Sequence, residues 1–141
     1  MIGWRAGGLI GANHAGTVSD SYSTGSVIGV EYVGGLVGRN FNYATVSNSY
    51  STGSVTGDEF TGGMVGMNEG TVSNCFWDTE TSGQDTSDGG IGENTAEMQQ
   101  VTTFSVAGWN ITAVDDPSTR NPSYAWNIVD AVTYPFLNWE P

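Results

Sequence analysis

Few residues in this chain could carry chemistry, and their types and spacing bound what that chemistry could be. His14 is the only histidine and Cys75 the only cysteine. Nucleophilic hydrolysis needs a nucleophile with a base in reach, usually histidine. Neither residue has an activating neighbour in sequence. One His and one Cys do not fill the tetrahedral shell of zinc, and a single Cys closes no disulfide within the chain. His-Glu-x-x-His is absent, and Gly34-Gly35-Leu36-Val37-Gly38 has neither the spacing nor the lysine of a phosphate loop.

Carboxylates offer two further readings. Glu31 and Glu59 occupy matching places one repeat apart, with Asp58 beside them. Glycoside hydrolysis needs two carboxyls facing each other about 5–10 Å apart, whereas stacked like charges repel instead of dividing acid and base roles. The other reading is a solvated acidic edge that discourages sideways strand pairing. Asp78-Thr79-Glu80-Thr81-Ser82-Gly83 has the form of the first half of a calcium loop. Gly89 falls where that loop needs a bidentate Glu, so the expectation is a weak oxygen-ligand calcium site using Asp78, Glu80, Asp85 or Asp88, set against a plain polar turn. Phe41 and Tyr43 are inserted in the second repeat only. They are the binding candidates, able to stack on a sugar ring or anchor a partner, or else they cover a corner.

What must position these residues is a repeat. Gly34-Gly35-Leu36-Val37-Gly38 followed by Thr45-Val46-Ser47-Asn48-Ser49-Tyr50 has counterparts on both sides. Upstream stand Gly7-Gly8-Leu9-Ile10-Gly11 and Thr17-Val18-Ser19-Asp20-Ser21-Tyr22; downstream, Gly62-Gly63-Met64-Val65-Gly66 and Thr71-Val72-Ser73-Asn74-Cys75-Phe76. The length changes fall in one place, after Asn13, Asn40 and Asn68. Such a pattern marks a repeat architecture with its loops on one side. Short Val, Thr and Tyr pieces bounded by Gly favour strands, about three per period. A single coil cannot bury its apolar side chains, so it must stack on the next.

Stacking predicts columns. Leu9, Leu36 and Met64 form one inward column, with Ile10, Val37 and Val65 on the other side of the strand. Val18, Val46 and Val72 form another. Tyr22, Tyr50 and Phe76 stack in register, and Ser21, Ser49 and Cys75 share a column that faces inward. Asp20, Asn48 and Asn74 sit at a corner where Asx side chains bond their own backbone. The glycines supply left-handed corners or close backbone approach.

The Gly-Leu-x-Gly pieces at 8–11 and 35–38, with the variant at 63–66, resemble the GLUG-motif repeat family of large secreted and surface proteins of bacteria and archaea. Asn74-Cys75-Phe76-Trp77-Asp78 and the later Trp109, Trp126 and Tyr134–Trp139 pieces are similar to the segment that closes such arrays. The resemblance implies a parallel β-solenoid of about three short coils with an irregular C-terminal cap, in an extracellular setting. It names no catalytic residue.

The expected division is therefore 1–78 for the solenoid repeats and 79–141 for the cap. In the latter, Asn94-Thr95-Ala96-Glu97 reads as a capping box opening a short helix that ends near Thr102 or Thr103. At the amino end only Ile2 and Trp4 could cover the first coil, so further repeats or a docked partner are expected there. Aromatic content argues for a folded chain. The formal charge of −12, with no lysine, opposes nucleic acid and anionic lipid as partners. Two functions remain: a non-catalytic extracellular module making protein or glycan contacts or pairing with copies of itself, and a carbohydrate-active enzyme on a β-helix.

Overall fold

The computed structural model describes residues 4–140. The chain divides into two compact units, residues 1–94 and 95–141.

The first unit is a parallel β-solenoid with five short strands per full coil. Coil one holds β1 (Ala6–Gly7), β2 (Ile10–His14), β3 (Thr17–Ser19), β4 (Tyr22–Ser23) and β5 (Val27–Ile28). Coil two holds β6 (Glu31–Gly34), β7 (Val37–Phe41), β8 (Thr45–Ser47), β9 (Tyr50–Ser51) and β10 (Val55–Thr56). Coil three holds β11 (Glu59–Gly62), β12 (Val65–Asn68), β13 (Thr71–Ser73) and β14 (Phe76–Asp78). Equivalent strands pair in parallel, so backbone groups that a two- to five-residue strand leaves open bond to the neighbouring coil. The period thus holds five short strands where three were expected.

The repeat register is the one read from the sequence. Tyr22 pairs with Tyr50 and Tyr50 with Phe76, and the two tyrosine rings stack with centroids 5.1 Å apart. Val46 is fully buried between Val18 and the partly buried Val72. Leu36 and Met64 are fully buried, but Leu9 is 49% exposed and leaves the expected inward column. Val37 and Val65 do not lie on the opposite side of the strand. They join Leu36 and Met64 in one core cluster. The chain bends here, with both Leu36 and Val37 donating their N–H to the Met64 carbonyl, so consecutive side chains turn inward around a corner.

The glycines of the Gly-Gly-Leu-x-Gly pieces serve close approach, not left-handed corners. Positive φ in the three coils falls on Asp20, Asn48 and Asn74, and on Ala15, Tyr32, Asn42, Tyr43 and Phe60. Asn48 Oδ1 makes no hydrogen bond, so at that corner the expected Asx side-chain bond is absent and the αL tolerance of Asn is what is used.

Beyond β14 the solenoid continues. Helix α1 (Thr79–Ser82) is capped by Asp78, whose Oδ1 accepts from the N–H groups of Glu80 and Thr81. Residues 86–88 then lie against the third coil: Gly63 N–H donates to the Thr86 carbonyl and Asp88 N–H to that of Val65. Strand β15 (Ile91–Glu93) pairs with β14. A partial fourth coil thus covers the third, and the boundary between units falls at 94/95, not at 78. Trp77 closes the interior here. It pairs with Ser51, taking the place that Ser23 and Ser51 hold below, and its indole N–H donates to the Gln84 carbonyl.

The second unit packs Phe104, Trp109 and Trp126 with neighbouring ring centroids 4.8 and 4.9 Å apart. Around them are two short helices, α2 (Thr95–Met98) and α3 (Val101–Ser105), and a sheet of β16 (Ile111–Ala113), β17 (Trp126–Ile128) and β18 (Phe136–Leu137). The single helix expected here is broken at Gln100, which is extended. Trp139 is exposed instead of joining the aromatic core. Trp4 is exposed as well, and Ile2 lies outside the described residues.

Candidate functional site

Outward-facing positions of the solenoid gather an unusual set of side chains on one side. Three columns can be read from the strand register. Ala6 pairs with Val33 and Thr61 with Val33, which aligns Arg5, Tyr32 and Phe60. Ala12, Arg39 and Met67 form the second column. His14 and Phe41 pair in the third, and the N–H of Glu69 bonds the carbonyl of Asn40 in the coil below.

The geometry is that of interleaved cations and rings. Tyr32 and Phe60 stack at 5.1 Å. The Arg39 guanidinium lies 4.5 Å from the Phe41 ring centre and 5.3 Å from that of Tyr32. It also forms the ion pair with Glu69, Nε donating at 2.9 Å and Nη2 at 2.6 Å to one carboxylate oxygen. Arg5 lies 5.9 and 5.7 Å from the Tyr32 and Phe41 rings. Both arginines of the first unit are therefore on this face. Cation–π contacts of this kind hold the long arginine stems flat over the sheet. Glu31, accepting a hydrogen bond from the Tyr32 phenol, raises its pKa; the two arginines oppose that shift.

Backbone strain points to the same face. Tyr32 and Phe60 have φ of 53° and 47°, a region where bulky residues are rare and which clusters at functional positions. The glycines opposite make room for this bulge. A Cβ on Gly38 would stand 2.5 Å from the Tyr32 carbonyl oxygen, and one on Gly66 would stand 2.5 Å from that of Phe60.

The residues singled out from sequence fare unequally. Phe41 and Tyr43 separate: Phe41 is a half-buried strand residue packed on His14 and Arg39, while Tyr43 projects from a left-handed turn at 92% exposure. His14 is no loop residue; it ends β2, with its Nε2 2.9 Å from Asn42 Nδ2. Glu31 and Glu59 pair directly on one ladder, which sets the two carboxylates side by side and not across a cleft.

Asp78, Glu80, Asp85 and Asp88 do not gather into a calcium site. No group of three or more His, Cys, Asp or Glu suited to a metal occurs among the described residues. Asp78 is buried as a helix cap, and Asp88 Oδ2 accepts from the Asn68 N–H at 2.7 Å. Backbone N–H groups hold one oxygen of Asp78 and one of Asp88.

What sequence reasoning missed is the column Arg5–Tyr32–Phe60. Its members differ in type, so the repeat does not announce them; the structure marks two of them by the left-handed backbone at Tyr32 and Phe60.

Cys75 faces inward as expected. Burial pushes its thiol up from 9.0 to about 11, and its Sγ donates to the Ser73 carbonyl as Ser21 and Ser49 donate to those of Ser19 and Ser47. The unfolded thiol ionises first as pH rises, so its contribution to stability is intact well below pH 9 and is lost progressively between 9 and about 11. Cys75→Ser should keep stability at pH 7 within about 1 kcal/mol and remove that alkaline component. Urea melts of both proteins at pH 7 and 10 check this; an equal alkaline loss in the variant would refute it.

The model of the GLUG motif matches residues 2–28 and 29–56, the first two coils. These are GLUG repeats. A relative in Evansella cellulosilytica, named "Putative Gly-rich membrane protein", is 38% identical over 110 residues. The match takes in 77% of this chain and 10% of the relative, so the chain spans about a tenth of the length of the curated protein it matches. No solved structure gives a significant match. No helix among the described residues is long and apolar enough to cross a membrane.

Proposed function

We propose that this GLUG chain is a non-catalytic, extracellular module of a larger surface protein, and that the outer face of its solenoid makes contacts with glycan or protein. The observation that carries the reading is the partition of side chains. The interior is filled by repeated Val, Leu and Met, while the varied residues Arg5, Tyr32, Phe60, Arg39, Met67, His14 and Phe41 face outward on one side. Residues that vary between stacked repeats are free to be chosen for contact, because the interior already satisfies folding. The likeness to a far longer membrane-named relative supports a module within a surface protein.

Antibodies against the folded domain should label intact, unpermeabilised cells of the producing organism. Labelling only after permeabilisation would overturn the location. The enzyme alternative predicts new reducing or unsaturated ends from some polysaccharide. The expected result with acidic and neutral polysaccharides is none, and turnover on any of them would overturn the non-catalytic reading.

A further inference from the structure

The column Arg5–Tyr32–Phe60 ends at Phe60, and beyond it lies a cavity of about 380 Å³, within the size range of small-molecule sites. One face of the Phe60 ring is covered by Tyr32; the residue is 48% exposed and lines the cavity. Met67 adds a second apolar side chain to the lining, with Thr61 and Gly66 beside it. The remaining lining is the partial fourth coil, Thr86 to Asp88. We infer that this cavity binds a neutral carbohydrate, with a sugar ring laid on Phe60 where the next rung's side chain would otherwise stand. This deepens the proposal of a contact-making module and rests on it.

The chemistry of the walls selects the ligand. A pyranose presents a flat C–H face and a rim of hydroxyls. The negative face of an aromatic ring attracts polarised C–H groups, and the Phe60 ring is held against Tyr32 by a left-handed backbone. Such a platform is ordered before binding, so little entropy is lost on contact.

The rim is built to stay in place. Ser87 Oγ accepts from the N–H groups of Met64 and Val65 and donates to the Val65 carbonyl, fixing the fourth coil to the third. Asp88 holds its carboxylate through Oδ2 to the Asn68 N–H; its Oδ1 has no partner among the described residues. A carboxylate oxygen and the Thr86 hydroxyl are acceptors and donors for sugar hydroxyls.

Charge excludes the acidic sugars. The chain carries −12, Asp88 is in the wall, and Arg39 of the adjoining column is already paired with Glu69. An anionic chain entering this cavity would meet a carboxylate with no unpaired cation at the wall.

The test is calorimetric titration of the full chain with neutral hexasaccharides of β-1,4-glucan, β-1,4-mannan and β-1,4-xylan, and with oligogalacturonate as the charged control. At least one neutral hexasaccharide should bind, with oligogalacturonate at least tenfold weaker. Phe60→Leu keeps apolar bulk without the π face, and Asp88→Asn keeps an oxygen for the Asn68 N–H. Each should weaken binding at least tenfold, with the melting temperature of Asp88→Asn unchanged. Binding by none of the three, tighter binding of oligogalacturonate, or wild-type affinity in both variants would each overturn the inference. Cell-surface labelling is independent of all three outcomes, so a failure here is distinguishable from failure of the wider proposal.

Discussion

Gly35→Ala should unfold the solenoid at temperatures where Gly25→Ala leaves it intact. A Cβ on Gly35 would stand 2.1 Å from the Gly63 carbonyl oxygen and 2.7 Å from Ser51 Oγ. The first obstacle is backbone of the next coil, which cannot rotate away as a side chain can. Relieving it means separating coils two and three, where Leu36 N–H donates to the Met64 carbonyl at 3.0 Å. Overpacking a core costs about 1–3 kcal/mol when side chains give way; against backbone the cost should reach or exceed the top of that range. For a unit of this size each kcal/mol is worth about 4–8 °C, so a fall on the order of 15 °C is expected.

Gly25, in the first repeat, provides the control. A Cβ there meets nothing within 4 Å, and alanine reduces the freedom of the unfolded chain, so a gain of up to about 1 kcal/mol is expected. Circular dichroism melts of the two variants decide the matter. Equal melting temperatures would mean that the glycines are not the spacers between coils, and the recurrence of Gly-Gly-Leu-x-Gly would need a different physical cause.

How much of this was legible in the sequence follows from what repeats and what does not. Stacked columns were legible because identical residues at a fixed interval can only be explained by contact between like positions, and Tyr22–Tyr50–Phe76 and Val18–Val46–Val72 are such columns. The side a residue faces was less legible. Leu36 and Val37 are consecutive, and strand alternation sends one outward; a corner between strands turns both in. The fourth coil was hidden because residues 84–93 share no residue pattern with the coils they pair with, and a parallel ladder needs only backbone. The candidate site was the least legible part. Arg5, Tyr32 and Phe60 share a column and not a side-chain type, and in the acidic loop that resembled a calcium ligand set one oxygen of Asp78 and one of Asp88 go to N–H groups whose positions only the fold reveals.

The residue whose loss should rival that of the glycine spacing is Asn40, at the centre of a buried asparagine ladder that the sequence marked only as the start of a variable spacer. Asn40 is fully buried. Its Nδ2 donates to Asn68 Oδ1 at 2.9 Å and to the Ala44 carbonyl at 3.0 Å, while its Oδ1 accepts from Asn13 Nδ2 at 2.9 Å. One amide therefore ties three coils and the end of its own spacer together. Asn40→Ala removes all of these bonds and leaves a cavity, with a cost of about 3 kcal/mol or more from unsatisfied groups and lost packing. Asn40→Asp is the sharper test because it keeps the shape. An ionised carboxylate has no donor for Asn68 Oδ1 and brings an unpaired charge into the core, so it should be worse than alanine at pH 7. Burial raises the pKa of such a carboxyl above its unfolded value of about 3.9. The unfolded state then releases its proton first as pH rises, so the deficit relative to wild type should grow above about pH 4 and shrink towards it. Denaturant melts of the wild type and both variants at pH 4 and pH 7 measure this directly. An Asp variant as stable as wild type at pH 7 would mean that the ladder can be met by water or by movement of the coils, and that the interior is held by its Val, Leu and Met columns alone.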